Sequence, residues 1–310
     1  MKSFNMISAL GQSITAIVVG SILFAETATY AQAPTPGAPR VAAQQPNARQ
    51  PFPGQPTVAP HAPFHLNQQQ RDYLNQVLVA WEQHTTTIKT FKTTFHRWSY
   101  DQQDREVNKS QGELSYKAPD QGTFRVDKVF QKNQQGEYVE IKDSIRDHWT
   151  TDGKVVRLYE GWQNPPVVRE KVIPPQLRGQ SIRNSPIPFL FGSKPSDLQE
   201  RYWLRVVTPQ QFAQAEIWLE AYPRYQADAA NFSKSIIRFD RTNFHPVALR
   251  RYMPTGEYDS YKFENISVNP LLPNWKELFS PAIPRGWKLV RENPAPVAAA
   301  QPDRQQPAQR

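Results

Sequence analysis

The chain alternates between two kinds of hydrophobic spacing, separated by stretches with neither. The helical spacing comes first. Leu74, Val77, Leu78 and Trp81 recur at i, i+3, i+4 and i+7, one apolar stripe on an otherwise polar segment. Asn67, three residues before Gln70, suits an N-cap with its reciprocal partner, so a helix begins there. Period-two alternation follows. Leu114 and Tyr116 share a face, as do Phe124 and Val126, and Val139, Ile141 and Ile145. Ala215, Ile217, Leu219 and Ala221 lie opposite Glu216, Trp218 and Glu220, and further strands are read over 154–160, 203–208, 235–240, 247–253 and 258–268.

Turn residues divide these runs at short intervals: 118–122, 133–136, Asp152-Gly153 and Pro254-Thr255-Gly256. Regular short strands with tight turns specify an antiparallel meander rather than βαβ units. Within 258–268 the apolar phase slips between Phe263 and Ile266, the mark of a bulge. Ser196 and Gln199 stand at capping-box spacing for a short helix over 196–202, and 226–231 suits one helical turn. Residues 174–195 hold five prolines around the apolar patch Ile187 to Phe191 and cannot form a regular strand. The expected fold is α+β, mainly β: a curved antiparallel sheet of about ten strands with an N-terminal helix and an inserted helical or irregular segment.

Composition sets the limits of that domain. Residues 1–31 read as a signal peptide, with Lys2 ahead of the apolar run Ile14 to Ala25 and a cleavage site after Ala31; the alternative is a retained anchor. Residues 32–63 carry nine prolines and no acid, a Pro/Gln/Ala-rich disordered linker, and 293–310 repeat that character as a tail. The folding unit is then 64–292. Of the chain's 310 residues none is cysteine, which rules out disulfides, thiolate metal sites and a lipid anchor on cysteine.

The formal net charge of +9 includes two charges from Arg40 and Arg49 and one net from Arg291 onward, leaving +6 on the domain. Its Lys and Arg, among them Arg97, Arg250 and Arg251, are scattered among acids. Nucleic acid is therefore excluded as a partner, and an anionic envelope surface or simple solubility explains the charge. The six histidines show no metal-ligand spacing, and no nucleophile elbow or phosphate loop is present, so neither metal nor cofactor is expected. Asp143 and Asp147, four residues apart on one strand face, are too far apart for a glycosidase pair and suit cross-strand Lys or Arg.

The order of elements resembles the LolA/LolB-like superfamily of periplasmic lipoprotein and lipid carriers, as does the closing stretch Leu278 to Lys288 (LFSPAIPRGWK). The stretches FHRWSYD (95–101), GELSYKAP (112–119), PIPFLFG (186–192), QADAANF (226–232) and FHPVALRR (244–251) are similar to a secreted, uncharacterised family of Planctomycetes. The first resemblance implies a half-barrel whose concave face takes an apolar ligand beneath an inserted segment. Neither implies a catalytic set.

The aromatics then become the candidate site. Trp98, Tyr116, Phe124, Trp149, Tyr159 and Trp218, with Ile187, Phe189, Leu190 and Phe191 as lid or rim, either fill a core or line a pocket for an acyl chain. The expected function is an exported, monomeric, non-enzymatic binding or carrier module for a lipid or lipoprotein acyl ligand in the periplasm or envelope. The rivals are a structural envelope protein with a solid core and a divergent hydrolase. If the patch is a lid, Phe189→Ala and Phe191→Ala weaken lipid binding and leave the melting temperature of the ligand-free protein nearly unchanged. Unfolding of both variants places the patch in the core.

Overall fold

A computed structural model describes residues 62–142, 146–175, 178, 194–230 and 232–292. The signal peptide, the linker up to His61, Asp143, the patch from Ile187 to Phe191 and the tail lie outside the described residues. The first helix, α1, spans Gln68–Thr85. Asn67 accepts from the Gln70 backbone while the Gln70 side chain accepts from Asn67, the reciprocal cap that its sequence requires. Leu74, Val77, Leu78 and Trp81 are its buried stripe.

The strands are β1 (Thr90–Tyr100), β2 (Glu106–Lys117), β3 (Gln121–Lys132), β4 (Tyr138–Glu140), β5 (His148–Asp152), β6 (Val155–Glu160) and β7 (Val167–Val172). After the helix α2 (Pro195–Arg201) come β8 (Tyr202–Val206) and β9 (Glu216–Pro223). The helical turn α3 (Gln226–Ala229) leads to β10 (Lys234–Asp240), β11 (Pro246–Tyr252) and β12 (Tyr258–Val268). A short helix α4 (Trp275–Phe279) precedes β13 (Lys288–Glu292). All belong to one open, curved sheet in the order β13-β7-β6-β5-β3-β2-β1-β12-β11-β10-β9-β8, with β4 on the free part of β3. Every pairing is antiparallel except β13 with β7, which is parallel.

The sheet is mainly β and half-barrel-like as expected, with more strands than the sequence pattern shows. The strands that the alternation above does not mark are β1, β5, β7 and β13. Two local readings change and one holds. The strand read from Val139 onward stops early: β4 ends at Glu140 with Val139 52% exposed, and Ile145 lies outside the described residues. Asp147 therefore no longer shares a strand with Val139. In α2 the cap is Lys194 without a side-chain bond, because Pro195 takes the first helical position and puts Ser196 inside the first turn. The bulge near Ile266 is present: Lys92 pairs with Ser267 but Thr94 with Glu264, and Asn265 absorbs the extra residue at a φ of 53°.

One face of the sheet, with α1 laid against β8 and its neighbours, forms a continuous apolar core from Leu74 through Phe91, Phe95 and Ile237 to Trp149 and Leu158. The opposite face is lined with ion pairs at its centre, such as Lys92 with Glu113 and Lys262 with Glu264. Towards β5–β7 it is covered by the C-terminal segment. There the Trp287 ring lies 6.1 Å from that of Tyr159, and Tyr159 stacks on His148 at 4.2 Å.

Two expectations follow. A Cβ on Gly112 would stand 1.9 Å from the Arg125 carbonyl oxygen and 2.8 Å from the Phe95 ring, where β2 shifts register against β3. Backbone cannot yield cheaply, so Gly112→Ala lowers unfolding stability by at least about 2 kcal/mol in urea titration. Burial, with the Arg125 charge beside it, pushes His148 down to about 4. The unfolded chain then binds a proton near pH 6.5 that the folded chain refuses until about pH 4. Stability therefore falls by up to about 3 kcal/mol across that window as pH drops, and no further from this group below it. His148→Gln flattens that part of the curve.

Candidate functional site

Residues paired across neighbouring strands point to the same side of a sheet, so the register assigns each candidate aromatic to a face. Leu114 pairs with Phe124, Phe124 with Trp149 and Trp149 with Leu158, which puts Tyr116, Phe124 and Trp149 on the inner, core face. Trp98, Tyr159 and Trp218 fall on the outer face. Trp98 lies beneath the Lys109 ammonium, 5.2 Å from its ring centre, and Trp218 packs between Phe212 and the Arg238 guanidinium. Tyr159 belongs to the cluster under the C-terminal segment described above. Ile187, Phe189, Leu190 and Phe191 lie outside the described residues.

On the inner face the rings form a row. Tyr261 on β12 lies 5.9 Å from Phe95 on β1, Phe95 stacks on Phe124 on β3 at 4.6 Å, and Phe124 stacks on Trp149 on β5 at 6.3 Å. Phe95 reaches Phe124 across β2 because the residue between them is Gly112, which pairs with Phe95 and has no side chain to intrude. A lone glycine inside a strand pattern is the sequence signal for such a close approach, and it identifies Phe95 as a member that periodicity alone does not single out. Phe124 and Trp149 are 8% and 7% exposed, against 0% for Phe91 beside them.

The row ends in charge. Arg97 and Arg251 continue the inward phase of Phe95 and Leu249, and both are buried. Arg97 donates from Nη1 to Asp147 at 2.6 Å and from Nε to Ser110 at 3.0 Å. Arg251 donates from Nη2 to Asp259 at 2.9 Å, and Ser99 donates to the other Asp259 oxygen at 2.8 Å. A third pair, Arg201 with Asp228 at 2.5 Å, joins α2 to α3. Burial opposes the Arg97 charge, but Asp147, Tyr261 and Asp259 outweigh it and hold the guanidinium above its ordinary range. Burial likewise favours a protonated Asp259, yet Arg97 and Arg251 overcome it and keep the carboxyl below the usual carboxylate range. Burial pushes the Tyr261 phenol up.

The polar end of the row presents paired charge. Its carboxylates are committed to arginines, and among the described residues no group of three His, Asp or Glu side chains is placed to hold a metal ion. Nor is any helix among them long and apolar enough to cross a membrane. His96 and His148, the strand histidines, both face outward: His96 Nε2 lies 3.3 Å from Glu264, and His148 is stacked on Tyr159.

No family model matches the sequence, and no curated protein matches it. Among solved structures, the chain is similar to an uncharacterized conserved protein from Thermus thermophilus, with 10% identity over 70% of this chain and 99% of that one and a TM-score of 0.39. It is also similar to a chain in the MucA/MucB complex of Pseudomonas aeruginosa, with 16% identity over 66% of this chain and 59% of that one and a TM-score of 0.32. A LolA superfamily protein from Nitrosomonas europaea is similar at 8% identity over 67% of this chain and 97% of that one, with a TM-score of 0.31.

Proposed function

We propose that the protein is an exported binding or carrier module of the periplasm or cell envelope that works without catalysis, holding an apolar ligand, a lipid or the acyl part of a lipoprotein, against the inner face of its sheet. The observation that carries this is the row Tyr261, Phe95, Phe124 and Trp149, four rings in sequence across an open curved sheet that reaches a buried polar end. A row of apolar rings of that kind matches a flexible chain, whose transfer from water yields ~25 cal/mol for each Å² buried. The net charge of +6 on the domain adds attraction to anionic envelope surfaces. Reversible release then needs only a change in what covers the ribbon, not covalent chemistry.

Native mass spectrometry of the purified full chain tests the reading. A copurifying lipid, or uptake of phospholipid from mixed micelles at one molecule per chain, is the expected result. Ligand-free spectra that persist after such incubation favour a solid core and a structural role in the envelope.

A further inference from the structure

The polar end of the inner face holds two donors that the protein does not use. Ser235 on β10 and Arg251 on β11 are register partners, 3% and 7% exposed, and both point to the core side. Arg251 commits Nη2 to Asp259, yet among the described residues its buried Nε has no acceptor and the buried Ser235 hydroxyl no partner. Buried donors are rarely left so, because their lost hydration is not repaid. Register sets the two side chains next to each other on neighbouring strands, where one oxygen acceptor answers both.

Charge decides which oxygen. Arg97 and Arg251 are already balanced by Asp147 and Asp259. A carboxylate or phosphate would bring an uncompensated negative charge beside Asp259, away from water. An ammonium group would meet donors instead of acceptors. A carbonyl oxygen offers two lone pairs and no charge. The next inward residues on the same two strands, Ile237 and Leu249, are register partners and apolar, and Leu249 pairs with Tyr261, so the surroundings turn to hydrocarbon in the direction of Tyr261 and Phe95.

We infer that Ser235 and Arg251 seat the neutral ester or amide carbonyl at the head of an acyl ligand, orienting its chain along the aromatic row. The inference rests on the apolar-ligand reading above and adds the class of head group.

Displacement of the neutral probe N-phenyl-1-naphthylamine from the full chain tests it, with undecane, methyl decanoate, N-methyldecanamide and decanoate as competitors at pH 8. Ser235→Ala is expected to weaken the ester and the amide about ten-fold, ~1.4 kcal/mol, and to leave undecane within about two-fold. Arg251→Lys, which keeps a cation opposite Asp259 but removes Nε, produces the same selective loss. Decanoate binds the unmodified protein more weakly than its methyl ester does. The infrared carbonyl band of bound ¹³C-labelled ester moves to higher frequency in Ser235→Ala, a readout that a general loss of packing would not produce. A stronger preference for ester or for amide separates a glycerolipid source from an N-acylated one. Equal weakening of undecane and ester, tighter binding of decanoate than of its ester, or indifference of the ester to Ser235→Ala each overturns the seat while leaving the apolar-ligand reading in place. Failure of both probe and undecane to bind removes both.

Discussion

Everything in this molecule hangs on the ladder between β1 and β12. The chain makes two meanders, one from β1 to β7 and one from β8 to β12, and each alone is a sheet with a bare apolar face. They become a single curved surface because Phe91 to Tyr100 pair with Val268 to Tyr258, strands some 170 residues apart in sequence. Such a join costs loop-closure entropy before its contacts repay it, so folding is governed by non-local pairing. The repayment is visible along the seam. Phe95 pairs with Phe263, and the Asn269 side chain accepts from the backbone of Lys89 and Thr90 at the start of β1.

The same seam explains why charge is tolerated inside. Arg97 comes from the first meander and answers to Asp147; Arg251 and Asp259 come from the second, and Ser99 crosses to Asp259. Removing one member leaves a buried charge without its partner, which is far costlier than the pair itself is valuable. The cluster thus specifies how the two halves meet more than it adds net stability. It also sets the hydrogen-bonding character of one end of an otherwise hydrocarbon surface.

How much of this is legible in the sequence varies with how local the cause is. The cap at Asn67 and Gln70 and the bulge at Asn265 follow from neighbours within a few residues, and both are where the pattern puts them. Pro195 overrides the cap suggested by Ser196 by the same local logic, seen one residue earlier. Period two also places Arg97 in phase with Phe95, but composition argues for arginine at the surface, and only the partner Asp147, 50 residues away, resolves the conflict. The aromatics are harder. Trp98 and Phe95 alternate on one strand, and nothing local says which side faces α1. The outer face uses its rings to cover the stems of Lys109 and Arg238, so ring content does not separate inside from outside.

The parallel strand β13 carries a consequence for association between molecules. An open sheet has two free edges, and each is a template on which another chain can zip. At one end β8 is only five residues long and is closed off by α2 before it and Pro209 soon after. At the other end, without β13, the six-residue β7 would offer an unprotected edge that begins with Val167 and Val168. β13 covers it with Lys288, Arg291 and Glu292 and fastens itself through Glu292 to Arg169 and Lys171 and through Arg291 to Glu170. The last five described residues therefore cover the edge of β7 with a strand rich in charge. A chain cut before Lys288 leaves the backbone groups of β7 that face β13 without their ladder partners.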